Sequence, residues 1–131
     1  MRYLLDTNVF IWSLGAPTRL NSAAIELLSS NETQIYLSPV SSWEIAVKYA
    51  LGKIILPDLP MEFVPNGMRD LGIATIDVMH GHALAAGQLP LHHRDPFDRM
   101  LIAQARAEGM VLLTADTAFK RYDVEILLCG K

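Results

Sequence analysis

Short apolar runs, each breaking into an acidic or small polar residue and separated by stretches of helical spacing, limit what this 131-residue chain can fold into. Tyr3-Leu4-Leu5 reads as a buried strand that runs straight into Asp6-Thr7-Asn8, where Thr7 or Asp6 can cap a helix carrying Val9, Phe10 and Trp12. Asn21-Ser22 opens a second helix with Ala24, Ile25, Leu27 and Leu28 on one side. Ile35-Tyr36-Leu37 is a second strand ended by Ser38-Pro39. Ser41 or Ser42 then caps a helix through Glu44 and Lys48 to about Leu51, with Gly52 as its stop. A weakly patterned helix through Phe63 and Met68 precedes a third strand, Ile73-Ala74-Thr75-Ile76. A short helix over His82 to Ala86 leads to the polar loop Leu91-His92-His93-Arg94. Asp95-Pro96 opens a strong helix reaching Glu108, and Gly109 stops it. Val111-Leu112-Leu113 is a fourth strand ending at Thr114-Ala115-Asp116, and Glu125-Ile126-Leu127-Leu128 a fifth after a helical turn near Phe119. Strands alternating with helices predict an α/β fold of three layers, a mostly parallel sheet covered on both faces. No repeat or linker interrupts the pattern, so residues 1–131 are expected to form one domain.

In such sheets, sites form outside the carboxyl ends of the strands. Asp6 lies just past the first strand and Asp116 just past the fourth, while Glu44 and Asp98 lie in the first turns of helices. All four are placed to face one edge of the sheet. Carboxylate oxygens are the ligands hard cations such as Mg²⁺ prefer, and Mn²⁺ accepts the same set. Each acid also has a structural reading. Asp6 fits a helix cap, Glu44 a partner for a helix dipole, and Asp116 a turn residue. Asp95 and Asp98 fit a cap and its third-position companion around Pro96, and for Asp95 the cap is the reading we adopt. The joint placement is what singles the four out.

Other residues divide less sharply. Asn8 and Thr114 either orient water and carboxylate at the site or satisfy backbone groups at strand ends. His92 and His93 suggest zinc, but the ligand set is incomplete and adjacent residues point apart, so a solvated loop is expected. Trp12, Trp43 and Tyr49 are expected in core or interface rather than stacked on bases. Arg94 and Arg99 flank the acids and are candidates to contact phosphates, whereas Lys48 and Lys53 are read as a solvated face. The lone Cys129 excludes an internal disulfide and has no motif around it, so it is expected to be a small buried hydrophobe in a reducing cytoplasm.

Charge is compatible with an RNA substrate without arguing for one. The formal net charge is −3, but with four acids gathered at a metal site, 11 basic residues face 10 remaining acidic ones. An acid as early as Asp6 spoils a signal-peptide reading, and no apolar run has the length of a membrane span.

Four blocks carry a family resemblance that spans essentially the whole chain. They are Leu5-Asp6-Thr7-Asn8-Val9-Phe10-Ile11-Trp12; Ser42-Trp43-Glu44-Ile45-Ala46-Val47-Lys48 with Gly52-Lys53; His93-Arg94-Asp95-Pro96-Phe97-Asp98-Arg99-Met100-Leu101-Ile102-Ala103-Gln104-Ala105; and Leu113-Thr114-Ala115-Asp116. The third is the most specific. Together they resemble the PIN-domain family, and within it the VapC-type toxins of bacterial toxin–antitoxin pairs. The resemblance implies a three-layer α/β/α fold and an endoribonuclease that needs Mg²⁺ or Mn²⁺. It puts Asp6, Glu44, Asp98 and Asp116 on the family's acidic, metal-holding positions and Thr114 on a supporting one. Asp95 belongs to the subgroup's motif. The resemblance also implies a homodimer held inactive by an antitoxin that reaches into the acidic groove, with promoter DNA bound through that antitoxin.

Three rival readings remain in view. A receiver-type phospho-acceptor domain would use Asp77 after the third strand, but it leaves Glu44 and Asp98 idle and has only Lys131 for its required lysine. A catalytically inactive PIN module and a metal phosphatase are the other two.

Overall fold

The apolar runs lie side by side in one parallel sheet of five strands, in the order β3-β2-β1-β4-β5. The computed structural model describes residues 1–131. The strands are β1 (Arg2–Leu5), β2 (Gln34–Leu37), β3 (Ala74–Thr75), β4 (Val111–Thr114) and β5 (Ile126–Leu128). The helices are α1 (Thr7–Gly15), α2 (Ser22–Ser29), α3 (Pro39–Ala50), α4 (Pro60–Leu71), α5 (His80–Gln88) and α6 (Pro96–Glu108), with 3₁₀ turns at Pro17–Arg19 and Thr117–Arg121. Leu4 lies opposite Tyr36 on one side and Leu112 on the other, so β1 is the centre of the sheet.

Side chains alternate across the strands, and two hydrophobic layers result. Leu5, Ile35, Leu37, Val111 and Leu113 share one buried cluster with Val9 and Phe10 of α1, Ala24 of α2, Ile45 of α3, and Phe63 and Val64 of α4. Leu4 and Leu112 share the other with Ala86 of α5 and Leu101, Ile102 and Ala105 of α6. A strand buried on both faces must be apolar throughout, which is why β1 and β4 were legible as unbroken runs.

Local chemistry explains where the elements begin and end. Asp6, Asn21 and Asp95 cap α1, α2 and α6 through side-chain oxygens, and Gly109 ends α6 with a left-handed φ of 64°. Two boundaries differ from expectation. Helix α3 starts at Pro39 rather than after Ser41 or Ser42: the Ser38 hydroxyl accepts from Val40 N at 3.1 Å, and a proline in the first turn is already in helical φ. Glu44 therefore sits in the second turn, beyond the reach of the first-turn dipole argument. Strand β3 keeps only Ala74–Thr75 of the expected four residues, both exposed at the sheet edge. Helix α5 extends to His80 because the His82 ring stands in for a cap, its Nδ1 accepting from Met79 N at 3.0 Å.

The strand order also removes the receiver-type reading. Asp77 follows the edge strand β3, and β2 separates that strand from β1 and Asp6.

Candidate active site

Chain order reverses between β1 and β4, the point at which a doubly wound sheet opens a crevice at its carboxyl edge. Asp6 leaves β1 there, and its backbone N–H donates to Leu113 O of β4 at 2.8 Å. Asp116 follows β4. The crevice is an open groove of about 340 Å³ lined by Asp6, Asn8, Trp12, Glu44, Lys48, Asp95, Asp98, Ala115 and Asp116. A larger hollow of about 460 Å³, lined by Ala85, Gln88, Leu89, Ala103, Arg106 and Ala107, contains no cluster of reactive groups.

The four acids are held differently. Asp6 is buried and accepts from Thr7 N at 2.7 Å and from the Thr114 hydroxyl at 2.8 Å. Glu44 is also buried: one carboxylate oxygen accepts from the Thr7 hydroxyl at 2.6 Å, and the other pairs with Lys48 one helical turn on. Asp116 accepts from Ala118 N at 2.9 Å. Asp98 projects from the first turn of α6, and its partner is a histidine. His93 Nε2 lies 3.0 Å from Asp98 Oδ2 and 3.1 Å from Asp116 Oδ2. Asp95 N–H donates to His93 Nδ1 at 3.2 Å, so the network places the imidazole proton on Nε2, facing the two carboxylates.

Electrostatics follows from this crowding. Burial, then the charges of Asp6, Asp95, Glu44 and Asp116, push the Asp98 carboxyl up to about 8. Burial raises Asp6 to about 6 against the lowering hydrogen bonds from Thr114 and Thr7. At Lys48, burial acts downward but is outweighed by the hydrogen bond and charge of Glu44, so its pKa lies above the ordinary value. Several carboxylates around one lysine leave a deficit of positive charge, and the donors are hard oxygens. That set fits a divalent cation such as Mg²⁺ or Mn²⁺.

The remaining sequence candidates fall as follows. Thr114 is buried on Asp6, and its hydroxyl also accepts from Asp116 N at 3.0 Å. Asp95 accepts from Phe97 N and Asp98 N as the cap of α6 while lining the groove. Asn8 lines the groove with an exposed side chain, and Arg94 is exposed nearby. Trp12 is half-buried with the Arg19 guanidinium 4.3 Å from its ring centre. Trp43 is exposed with its ring against Phe97. Cys129 is buried, and burial pushes its thiol up to about 11, as an inert hydrophobe requires.

Two expectations need correcting. His93 is not a solvated loop residue; it touches two of the four acids. The available signal was a histidine two residues before an Asp-Pro helix start that leads to Asp98. Arg99 is not free to contact phosphate. Its guanidinium donates to the carbonyls of Pro90, His93, Ala86 and Leu89 at 2.8–3.3 Å, fastening the end of α5 and the following loop to α6. Arg99→Met should therefore lower stability by about 1–3 kcal/mol in urea titration, and Arg99→Lys should restore little, because one ammonium cannot span four carbonyls. A methionine variant as stable as wild type would return Arg99 to the solvent-facing candidates.

The family model for the PIN domain matches residues 3–125. The chain belongs to the PIN-domain family. Ribonuclease VapC16 of Mycobacterium tuberculosis is 44% identical over 48 residues, 37% of this chain and 34% of that protein. The match thus spans about a third of that relative's length. The structure of VapBC2 from Rickettsia felis bound to a DNA fragment from their promoter is similar, with a TM-score of 0.74 at 20% identity over 99% of this chain and 100% of that one. DNA-bound VapBC from Salmonella typhimurium follows at 0.73 and 20%, covering 97% of each chain. Likeness at this identity concerns the fold: the three-layer PIN architecture is common to all of them. No helix is long and apolar enough to cross a membrane.

Proposed function

We propose that this PIN domain is a divalent-metal-dependent endoribonuclease, the toxin of a toxin–antitoxin pair. The observation that carries the reading is the convergence of Asp6, Glu44, Asp98 and Asp116 on one groove, with Asp98 raised to about 8 by burial and by the charges of the neighbouring acids. Those four carboxylates would hold Mg²⁺ or Mn²⁺. The cation would polarise an RNA phosphodiester and lower the pKa of the attacking water. The protein's own part is positional. Thr7 fixes Asp6 through its backbone N–H and Glu44 through its hydroxyl, and Thr114 fixes the far oxygen of Asp6. Lys48 keeps the second Glu44 oxygen oriented. The groove is open rather than enclosed, as an extended polymer substrate requires. Asn8 and Arg94 at its margin are the residues we assign to RNA contact and water orientation, and Asp95 acts as the cap that aims Asp98.

The VapBC and VapC names of the relatives support an antitoxin partner and an RNA substrate. The DNA-bound VapBC structures support promoter DNA as a further partner of the pair; contact with that DNA through the antitoxin, a homodimeric toxin and work in the cytoplasm belong to the same proposal. Purified protein incubated with labelled structured and unstructured RNAs should cut them with Mg²⁺ or Mn²⁺ and stop when chelator is added. Cleavage indifferent to chelator would sink the metal reading. Release of phosphate from small monoesters without any RNA cleavage would replace it with a phosphatase.

A further inference from the structure

Asp98 and Asp116 come from different elements, the first turn of α6 and the turn after β4, and as neighbouring carboxylates they repel. His93 joins them. Its Nε2–H donates to Asp116 Oδ2 at 3.1 Å, Asp98 Oδ2 lies 3.0 Å from the same nitrogen, and the three ligand-type atoms lie within 4.8 Å of one another. The residue is itself held at four points, two on its ring and two on its backbone. Asp95 N–H occupies Nδ1, and His93 N donates to the Tyr122 hydroxyl at 2.8 Å. Arg99 donates to the His93 carbonyl, and the Phe119 ring packs edge-on at 5.6 Å. Tyr122 donates in turn to Pro90 O at 2.8 Å, so the loop before α6 is fastened to the turn that carries Asp116. A solvated loop needs none of these restraints. All of them fix one ring nitrogen and its proton at one point of the groove.

We propose that His93 is a positioning residue for the divalent cation: it holds the Asp98 and Asp116 carboxylates at a common spacing, each with its remaining lone pairs turned to the ion. The proposal rests on the metal-dependent reading above. A neutral donor suits the task, since it orients two carboxylates without cancelling the charge the cation needs. Donors to ligating carboxylates of this kind are worth roughly 10–100-fold in metal affinity.

The test is Mn²⁺ affinity, read from the free-ion electron paramagnetic resonance signal, for wild type, His93→Phe, His93→Ala and His93→Gln, with Asp98→Asn as background. Thermal stability is measured alongside. Phenylalanine keeps the ring packing on Phe119 without a donor, and the glutamine amide nitrogen can stand where Nε2 stands. The expected result is affinity lower by about 10–100-fold in the Phe and Ala variants, with most of it recovered by Gln. Should Phe fail to fold, the Ala and Gln pair carries the comparison. Affinity unchanged or tightened without the donor, with wild type still binding above background, overturns the role of His93 alone. So does a folded Gln variant as weak as Ala. Wild type binding no better than Asp98→Asn overturns the metal reading itself, and this proposal with it.

Discussion

Asp98→Asn should abolish RNA cleavage, lowering the rate by about a thousandfold or more, roughly 4 kcal/mol of transition-state stabilisation. Asparagine keeps the size of the side chain and removes its charge, so the geometry of α6 survives. Asp98 is chosen because Asp6 and Glu44 are buried in hydrogen bonds from Thr7, Thr114 and Lys48. Asp98 has His93 as its partner and a carboxyl raised to about 8. It is the acid that depends most on a cation. The measurement is single-turnover cleavage of the best RNA substrate with Mn²⁺, beside circular dichroism to show the variant is folded. Activity within a few-fold of wild type would remove Asp98 from the site and, with it, the four-acid assignment.

The same raised carboxyl predicts an unusual pH dependence of stability in the presence of chelator. Asp98 binds its proton more tightly in the folded chain, at about 8, than at the ordinary 3.8 of the unfolded chain. Between those values the folded state carries the extra proton, so stability falls as pH rises through that window. Below about 4 both states are protonated and nothing is lost; above about 8 the loss is complete. Asp6, raised to about 6, adds to the fall in the lower part of the window. With its side chain 14% exposed, Asp98 is little screened, and the loss attributable to it is on the order of a few kcal/mol. Urea denaturation in chelator at about pH 5 and about pH 9 measures it. Other carboxylates titrate over the same range, so the comparison that isolates the effect is with Asp98→Asn. That variant should lose less stability and be the more stable protein at high pH. Saturating Mn²⁺ should reverse the wild-type loss, by roughly 2.7 kcal/mol at a hundred times Kd. Parallel pH curves for the two proteins would mean Asp98 is not held in its neutral form.

Both predictions turn on residues whose placement was partly legible. The apolar runs of β1 and β4, the Asp6, Asn21 and Asp95 caps, and Gly109 as a stop were readable because each is a short-range matter of backbone hydrogen bonds and φ. The start of α3 was misread for an equally local reason: Ser38-Pro39 looks like a strand end, yet it is also a cap followed by a first-turn proline. What the residue string did not reveal was the surroundings of the acids. Thr7, Lys48, His93 and Tyr122 entered the site only once the elements were assembled.

The sequence by itself determined that strands would alternate with helices, that one sheet would be covered on both faces, and that four acids would lie just past its strands or near the starts of its helices. Those conclusions depend on side-chain periodicity and on caps, which act over a few residues. Only the tertiary structure decided that β4 lies against β1, which brings Thr114 onto Asp6 across 108 residues and His93 onto Asp116 across 23. It also decided that Arg99 serves four carbonyls rather than a substrate. A hydrogen bond depends on distance in space. Distance in space is fixed by strand order and by the packing of α6 on the sheet, and neither is written in the spacing of residues along the chain.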